Sequence, residues 1–499
     1  MEAVIGAVDQ GTTGTRFALF DAAGRLVAAA YREHRQFFPR PGWVEHDPEE
    51  IWQCTLTVMA EALAQANLRP GQLRALGVTN QRESVVVWDA RDGRPLHPVI
   101  VWQDRRTAAR CRELIEAGHE AHIRERTGLP LDPYFSATKL EWLRREVPAV
   151  REAAAAGRAR CGTLDSWLLF RLTGAHVTDP TNASRTLLFD LHRLAWSDEL
   201  RALFDVPAAM LPEVVPSSGQ SLDLRVAAGL PAEGVPVCGI LGDQQAALFG
   251  QTGFARGDLK NTYGTGSFLL LNTGETPVVS RQGLLTTVAY QREGEPARYA
   301  LEGSVFVTGA AVQWLRDSLG LIESAAETEA LAESIPDTGG VYLVPAFAGL
   351  GAPYWDPEAR GTLAGLTRGS GRAHLARAAL EAMAYQTRDV VEAMRADAGV
   401  AITALRVDGG AVRNNFLCRF QADLLGVPVW RPVVQETTAL GAAYAAGLAA
   451  GVWPNPEALR AHWQLDRQFD PSLPAERREA LYAGWQRAVR TARTWARDA

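Results

Sequence analysis

The sequence predicts an α/β protein of two large domains, and three observations lead there. The chain has 499 residues, room for two large domains or about three of ordinary size. Strand and helix signals alternate through its opening part. Near residue 250 a pattern of short apolar strand, Gly/Thr turn and second strand starts again.

The elements follow in order. Residues 3–8 are a short apolar strand and Asp9-Gln-Gly-Thr-Thr-Gly14 a turn cluster. Residues 16–20 are a second strand, 21–25 a second turn and 26–31 a third strand. Asp47-Pro-Glu-Glu50 reads as a helix start, with Asp47 as N-cap, Pro48 at N1 and Glu50 at N3. That helix is expected to reach about Ala66. Strands are expected at 73–79, 85–88, 99–102 and 235–241, the last opening into a helix with Asp243 as its N-cap. In the second half, Lys260-Asn-Thr-Tyr-Gly-Thr-Gly-Ser267 is a turn leading into a strand over 268–271. Residues 405–408 are a strand ending in Gly409-Gly410, before a helix over about 412–425. The domains are therefore placed at 1–250 and 251–499. The echo between them suggests internal duplication and does not establish it.

Composition excludes several functions. Of 51 Lys and Arg residues only two, Lys139 and Lys260, are lysine. No Gly-Lys pair exists, so there is no P-loop, and neither lysine has the strand context of a protein-kinase phosphate lysine. No GxGxxG occurs, which argues against a Rossmann dinucleotide site. A net charge of −6 with no basic run argues against a nucleic-acid partner. Five cysteines without a Cys-x-x-Cys pair suggest neither a disulfide framework nor a thiolate metal site, and point to a reducing compartment. The nine histidines show no metal-ligand spacing. The opening Met-Glu-Ala-Val-Ile-Gly-Ala-Val-Asp has no basic region or cleavage site, so a signal peptide is not expected. The longest apolar run, 439–453, is 15 residues of mostly Ala and Gly. A membrane span needs about 20, and a small-residue helix packed inside a domain is expected instead.

Three Gly-rich turns at strand ends are candidate phosphate loops. In Asp9-Gln-Gly-Thr-Thr-Gly-Thr the glycines admit close approach, and N–H groups and hydroxyls can ring a phosphate. Asp9 could hold Mg²⁺ through water. A plain hairpin turn fits the same residues. Gly264-Thr-Gly266 is a second such turn. In Asp408-Gly-Gly-Ala-Val-Arg-Asn-Asn415 two glycines can admit a flat group beside a helix N-terminus. Split between two domains, the three favour a nucleotide in a cleft. Asp243, at a strand end, is either a helix cap or a general base. Arg82 and Glu83 are either a surface ion pair or partners for substrate hydroxyls.

At these residues the chain resembles the glycerol kinases, a branch of the carbohydrate-kinase family. The resemblance covers nearly the whole chain. It is carried by Asp9-Gln-Gly-Thr-Thr, Pro41-Gly-Trp-Val-Glu-His-Asp-Pro48, Thr79-Asn-Gln-Arg-Glu83, Asp132-Pro-Tyr-Phe-Ser136, Gly242-Asp-Gln-Gln-Ala-Ala247, Asn261-Thr-Tyr-Gly-Thr-Gly266 and Val407-Asp-Gly-Gly410. Two family-wide signatures are also present. One runs from Tyr134 through Lys139 and Trp142 to Glu146, the other from Gly361-Thr-Leu-Ala-Gly-Leu366 through His374 to Glu381.

The resemblance implies two ribonuclease-H-like, actin-like ATPase domains flanking a deep cleft. The first would carry most of the glycerol site and the second most of the nucleotide site. It implies ATP-dependent phosphorylation of glycerol to sn-glycerol 3-phosphate with Mg²⁺, in the cytoplasm, by a homodimer or homotetramer. Arg82, Glu83, Tyr134, Asp243 and Gln244 would bind the glycerol hydroxyls, with Trp102 and Phe268 on its carbons. Asp243 would be the base, and Asp9 and Asp243 would surround Mg²⁺. Thr12, Thr13, Gly14, Arg16 and Thr265 would lie at the phosphates, and Gly309, Gln313, Gly410 and Asn414 around the rest of the nucleotide.

Departures from the family pattern are visible. Gly14 stands where many relatives have Ser or Thr, and Thr15 is expected to compensate. The loop 222–237 lacks the Gly-Gly-Thr-Arg string that binds fructose 1,6-bisphosphate in some relatives, and the histidine phosphorylated in others is absent. The tail around 471–485 aligns in outline only. The alternatives are a kinase for another small polyol or sugar, and a non-catalytic sugar sensor or actin-like filament protein. A sensor is expected to lose its base or gain a DNA-binding helix pair, whereas Asp243 is present and no helix-turn-helix is appended. Lys139 lies inside the first signature and Lys260 just before the second turn, two places where a compact ammonium is expected to matter.

Overall fold

The computed structural model describes residues 3–69, 72–220 and 223–495. Met1, Glu2 and Leu222, used in the sequence reading, lie outside the described residues.

The chain opens with three antiparallel strands, β1 (Val4–Gln10), β2 (Gly14–Asp21) and β3 (Leu26–Glu33). Helix α1 (Pro48–Gln65) starts as expected: the Asp47 carboxylate accepts from the Glu49 N–H at 2.9 Å, with Pro48 in the first turn. Strand β4 (Leu73–Asn80) then pairs parallel with β1, and β5 (Val237–Gly242) parallel with β4. The sheet order is β5-β4-β1-β2-β3. Helix α2 (Asp243–Gly250) follows directly.

The second half repeats the plan. Strands β6 (Leu259–Tyr263), β7 (Ser267–Gly274), β8 (Leu285–Tyr290) and β9 (Arg298–Val305) are followed by helix α3 (Arg372–Ala398). Then come β10 (Leu405–Asp408), β11 (Val429–Pro432), helix α4 (Thr437–Ala449) and β12 (Leu465–Phe469). The sheet runs β8-β9-β7-β6-β10-β11-β12. Its inner five strands match the first sheet in order and sense: β7 antiparallel to β6 and β9, β10 parallel to β6, β11 parallel to β10. The duplication that the sequence only suggests is therefore present in the topology.

The Ala/Gly run became α4, and it does more than fill one domain. It packs on β4 and β5 of the first sheet and against α2. A Cβ at Gly441 would overlap the Ala246 carbonyl, and one at Gly250 the Thr437 carbonyl. Two helices meeting backbone to backbone need small residues there, which explains the composition of the run. The sequence boundary at 250/251 separates the sheets, yet α4 belongs in space to the first.

Some bounds differ from the sequence reading. The strand expected over 99–102 covers only Val99–Ile100, leaving Trp102 in the next turn. The helix expected over 412–425 is a short 3₁₀ turn, Gly410–Arg413, followed by a helix Asn415–Leu425 that Asn414 caps. Asp243 is the first residue of α2, with Gly242 as the cap. A second five-stranded sheet joins Val85–Asp89, Val99–Ile100 and Ala159–Thr163, from the long segment between β4 and β5, to Gln36–Phe37 and Glu45–His46, which precede α1.

Candidate active site

The site begins where parallel strands end. Asp9 lies one residue before the end of β1, half-buried, and pairs across the hairpin with Arg16. Asp243 opens α2 at the end of β5, with its carboxylate oxygen 3.1 Å from Arg82 Nε. That same oxygen accepts from the Gln244 N–H at 2.7 Å. Burial raises the Asp9 carboxyl from 3.8 to about 7; Arg16 opposes this and the Asp243 carboxylate adds to it. Two mutually repelling carboxylates at strand ends suit a hard cation. Among the described residues no group of three or more His, Cys, Asp or Glu could hold a metal. Asp9 and Asp243 offer carboxylate oxygens alone, a donor type that fits Mg²⁺, which keeps several waters and takes oxygens from phosphates.

Behind Asp243 lies a buried quartet of charges. Arg82 is 2 % exposed, Glu83 1 %, and Arg185 and Glu302 are fully buried. Glu302 accepts from Arg82 Nη1 at 2.5 Å, from Arg82 Nη2 at 2.9 Å and from Arg185 Nη2 at 3.1 Å. Glu83 accepts from Arg185 Nε at 2.6 Å. Burial raises Glu302, but Arg185 and Arg82 outweigh it and hold the carboxyl at about 2. Burial leaves Glu83 raised despite both arginines. Glu83 also sits at φ +63°, a conformation that a non-glycine residue adopts at a cost and that clusters at functional sites. The walls are aromatic. The Trp102 and Tyr134 rings meet edge-on at 5.5 Å, and Arg82 lies 5.9 Å from the centroid of Phe268. Trp102 Nε1 donates to Thr12 Oγ1 at 3.0 Å, tying this wall to the first turn.

Both lysines serve this arrangement. Lys139 Nζ donates to the carbonyls of Pro133, Tyr134 and Phe135 at 2.5, 2.8 and 3.1 Å. One compact ammonium with three donors thus gathers the Asp132-Pro-Tyr-Phe loop, which a planar guanidinium cannot do from a single point. Lys260 Nζ donates to Gln244 Oε1 at 2.5 Å, Thr262 Oγ1 at 3.0 Å and the Phe268 carbonyl at 3.3 Å. Burial lowers both ammonium groups to about 8. Gln244, expected at the substrate, thus has its side-chain oxygen engaged by Lys260.

The three Gly-rich turns differ in what they offer. The first closes with Gly11 N–H on the Gly14 carbonyl at 2.9 Å. Thr12 is half-exposed and Thr13 exposed. A Cβ at Gly14 would stand 2.6 Å from the Tyr31 hydroxyl and overlap the Arg32 carbonyl, so no side chain fits there. Thr15 does not compensate: it is fully buried, and its hydroxyl has no partner. Tyr31 instead brings its hydroxyl to 3.3 Å from Thr13 Oγ1. Arg16 forms an ion pair with Glu436 from the second half. The second turn, holding exposed Thr265, is cradled by a helix start: the Gly309 and Ala310 N–H groups donate to the Gly264 and Thr265 carbonyls at 3.1 Å each. Gly309 is required by that approach, since a Cβ there would come within 2.5 Å of the Gly264 carbonyl. Gln313 is exposed on the same helix. At the third turn Gly410 is exposed with open space around it. Asn414 is committed locally: its oxygen caps the Leu417 N–H at 3.0 Å and its amide donates to Thr328 at 3.1 Å.

Sequence reasoning missed Arg185, Glu302 and Glu436. Glu302 had a signal, a lone carboxylate inside the apolar strand Tyr-Ala-Leu-Glu-Gly-Ser-Val305. Arg185 had little, one arginine among small polar residues. A separate cavity of about 550 Å³ lies against the C-terminal helix, lined by Arg377, Arg419, Arg477, Asp337 and others, and includes none of the residues above.

Comparison with known proteins fits this geometry. The model of the FGGY family of carbohydrate kinases, N-terminal domain, matches residues 4–250, and that of its C-terminal domain matches 259–450. The chain is 58% identical to a glycerol kinase of Dechloromonas aromatica, over 98% of this chain and 97% of that one. It is 56% identical to one of Symbiobacterium thermophilum, over 99% of each. The crystal structure of Plasmodium falciparum glycerol kinase with ADP superposes with a TM-score of 0.93 at 34% identity, covering 98% of each chain. With both domain models matched and such relatives aligned end to end, the chain belongs to the FGGY family of carbohydrate kinases.

Proposed function

We propose that this enzyme transfers the γ-phosphoryl group of ATP to a terminal hydroxyl of glycerol, giving sn-glycerol 3-phosphate and ADP. The observation that carries the reading is Asp243 beside Arg82, with the carboxylate of one 3.1 Å from Nε of the other, at the mouth of a buried charged pocket walled by Trp102, Tyr134 and Phe268. A triol has little apolar area, so a site for it must read hydroxyls. Arg82, Glu83 and Tyr134 supply donors and an acceptor, while Trp102 and Phe268 cover the carbons. Lys260 holds Gln244 at the pocket's second-domain side.

Phosphoryl transfer needs positioning and charge neutralisation more than covalent help. Asp243 accepts the proton of the attacking hydroxyl while that oxygen bonds phosphorus and the ADP oxygen leaves. Arg82 Nε keeps the carboxylate turned toward the hydroxyl. Thr12, Thr13, Arg16 and Thr265 line the phosphate path; Gly309, Gln313 and Gly410 border the rest of the nucleotide, with Asn414 shaping the helix end. Asp9 and Asp243 would hold Mg²⁺, which would neutralise charge on the phosphates. Among the described residues no helix is long and apolar enough to cross a membrane; the cytoplasm is the compartment that the family resemblance implies. Assembly as a homodimer or homotetramer is checked by light scattering.

The test is a coupled ADP-release assay with glycerol and a pentulose at equal concentration. Glycerol is expected to turn over faster; faster turnover of the pentulose overturns the reading.

A further inference from the structure

We propose that Glu302 is a positioning residue for phosphoryl transfer, supplied by the second domain to orient Arg82 in the first; this rests on the reading of the site given above. Glu302 lies on β9 of the second sheet, while Arg82, Glu83 and Arg185 belong to the first half of the chain. Its two carboxylate oxygens grip both terminal nitrogens of Arg82 at 2.5 and 2.9 Å. The remaining Nη1 donation goes to Gln245 Oε1 at 3.2 Å. A guanidinium held by its fork cannot rotate. Nε is therefore the face it presents to Asp243, at 3.1 Å.

Released from Glu302, Arg82 could turn its fork onto Asp243 as a bidentate pair. The carboxylate would then be fully engaged and unable to accept from a substrate hydroxyl. Glu302 prevents that by occupying the fork first. It also takes Arg185 Nη2, leaving Arg185 Nε for Glu83. One carboxylate therefore sets the direction of both arginines behind the substrate pocket. The first domain's polyol site is complete only with this residue of the second.

Simple neutralisation of two buried arginines is the competing role, and Glu302→Asp separates the two. It keeps the charge and withdraws the carboxylate by one methylene. Positioning predicts that kcat falls at least tenfold while KM for ATP changes less than about twofold. Neutralisation alone predicts wild-type kcat. Glu302→Gln keeps the length and loses the charge, and it is expected to lose kcat more than a hundredfold and to raise KM for glycerol. Wild-type kcat in either variant overturns the proposal. Should neither variant fold, the wild-type crystal structure with glycerol decides. Arg82 still forked on Glu302 supports the assignment, and Arg82 forked on Asp243 or on glycerol overturns it. Each variant is compared with wild type on whichever polyol wild type phosphorylates, so a wrong substrate assignment shows in the wild-type assay alone.

Discussion

The two halves of this chain share one five-stranded plan and load it differently. In the first, the hairpin strand β1 ends in Asp9-Gln10, and the helix after β5 begins with Asp243. In the second, the matching hairpin strand β6 ends in Thr262-Tyr263, and the helix after β11 begins with Thr437. Carboxylates stand on one side, and hydroxyls and backbone on the other. Thr437 spends its hydroxyl on Asp408 at 2.6 Å, and Asp408 also accepts from Gln251 Nε2 at 3.0 Å. That carboxylate is satisfied internally, whereas Asp9 and Asp243 repel each other. Duplication copied the scaffold, and only the first copy sets two acids against each other at its strand ends. On the function proposed above, the difference separates the half that does chemistry from the half that holds the nucleotide.

The largest effect expected is at the paired helix starts. Asp243→Asn should lower kcat by about 10²–10⁴-fold, the worth of a general base, with glycerol affinity by calorimetry nearly unchanged. Thr437→Ala, at the matching position, should leave kcat within a few-fold and cost about 1–2 kcal/mol of stability by denaturant titration. Equal losses of kcat in both would break the comparison.

Next is Asp9. Its folded-state value of about 7 lies above the ordinary 3.8, so the folded protein holds the proton more tightly than the unfolded chain does. The stability it lends is fully present below about pH 4 and is lost as pH rises through about 7. Asp9→Asn should therefore make the ligand-free protein more stable than wild type at pH 8, and less so at pH 4. Turnover should fall at least tenfold. Unchanged stability at pH 8 would show that the carboxylate is not strained in the free enzyme.

Smaller effects belong to residues that hold the loops. Lys139→Arg should raise KM for glycerol several-fold, because the three carbonyls it gathers cannot all be met, at about 1–3 kcal/mol in stability. Wild-type KM would make the ammonium's geometry irrelevant. The smallest effect contrasts the two turns. Gly14→Ser should cost about 1–2 kcal/mol by overpacking, and adding Tyr31→Ala should recover part of it, since a side chain shares that space. Gly266→Ser meets only the carbonyls of Val305 and Phe306, so no neighbouring substitution should rescue it. Rescue of neither would remove Tyr31 from the first turn.

Much of this was legible in the sequence, for identifiable reasons. Capping chemistry placed Asp47 and α1, because a cap is local. Gly/Thr strings located the first two turns and the Gly409-Gly410 pair the third. Asp9, Arg82, Glu83 and Asp243 were marked by their place at strand ends. The duplication was only hinted at, since sheet order depends on long-range pairing that no short string encodes. Glu302 and Arg185 were missed because their meaning lies in partners more than a hundred residues away. Asn414 and Gln244 were placed at ligands by resemblance, and the structure shows their side chains engaged within the protein. Thr15 was misjudged because alternation on β2 turns it inward, where it is fully buried.

The most direct test of the account is a crystal structure with glycerol and a non-hydrolysable ATP analogue. It should place a terminal hydroxyl of glycerol within hydrogen-bond reach of Asp243, the other hydroxyls on Arg82, Glu83 and Tyr134, and the γ-phosphoryl group between the first two turns. A terminal hydroxyl turned away from Asp243, or glycerol outside the Trp102–Tyr134–Phe268 walls, would contradict it.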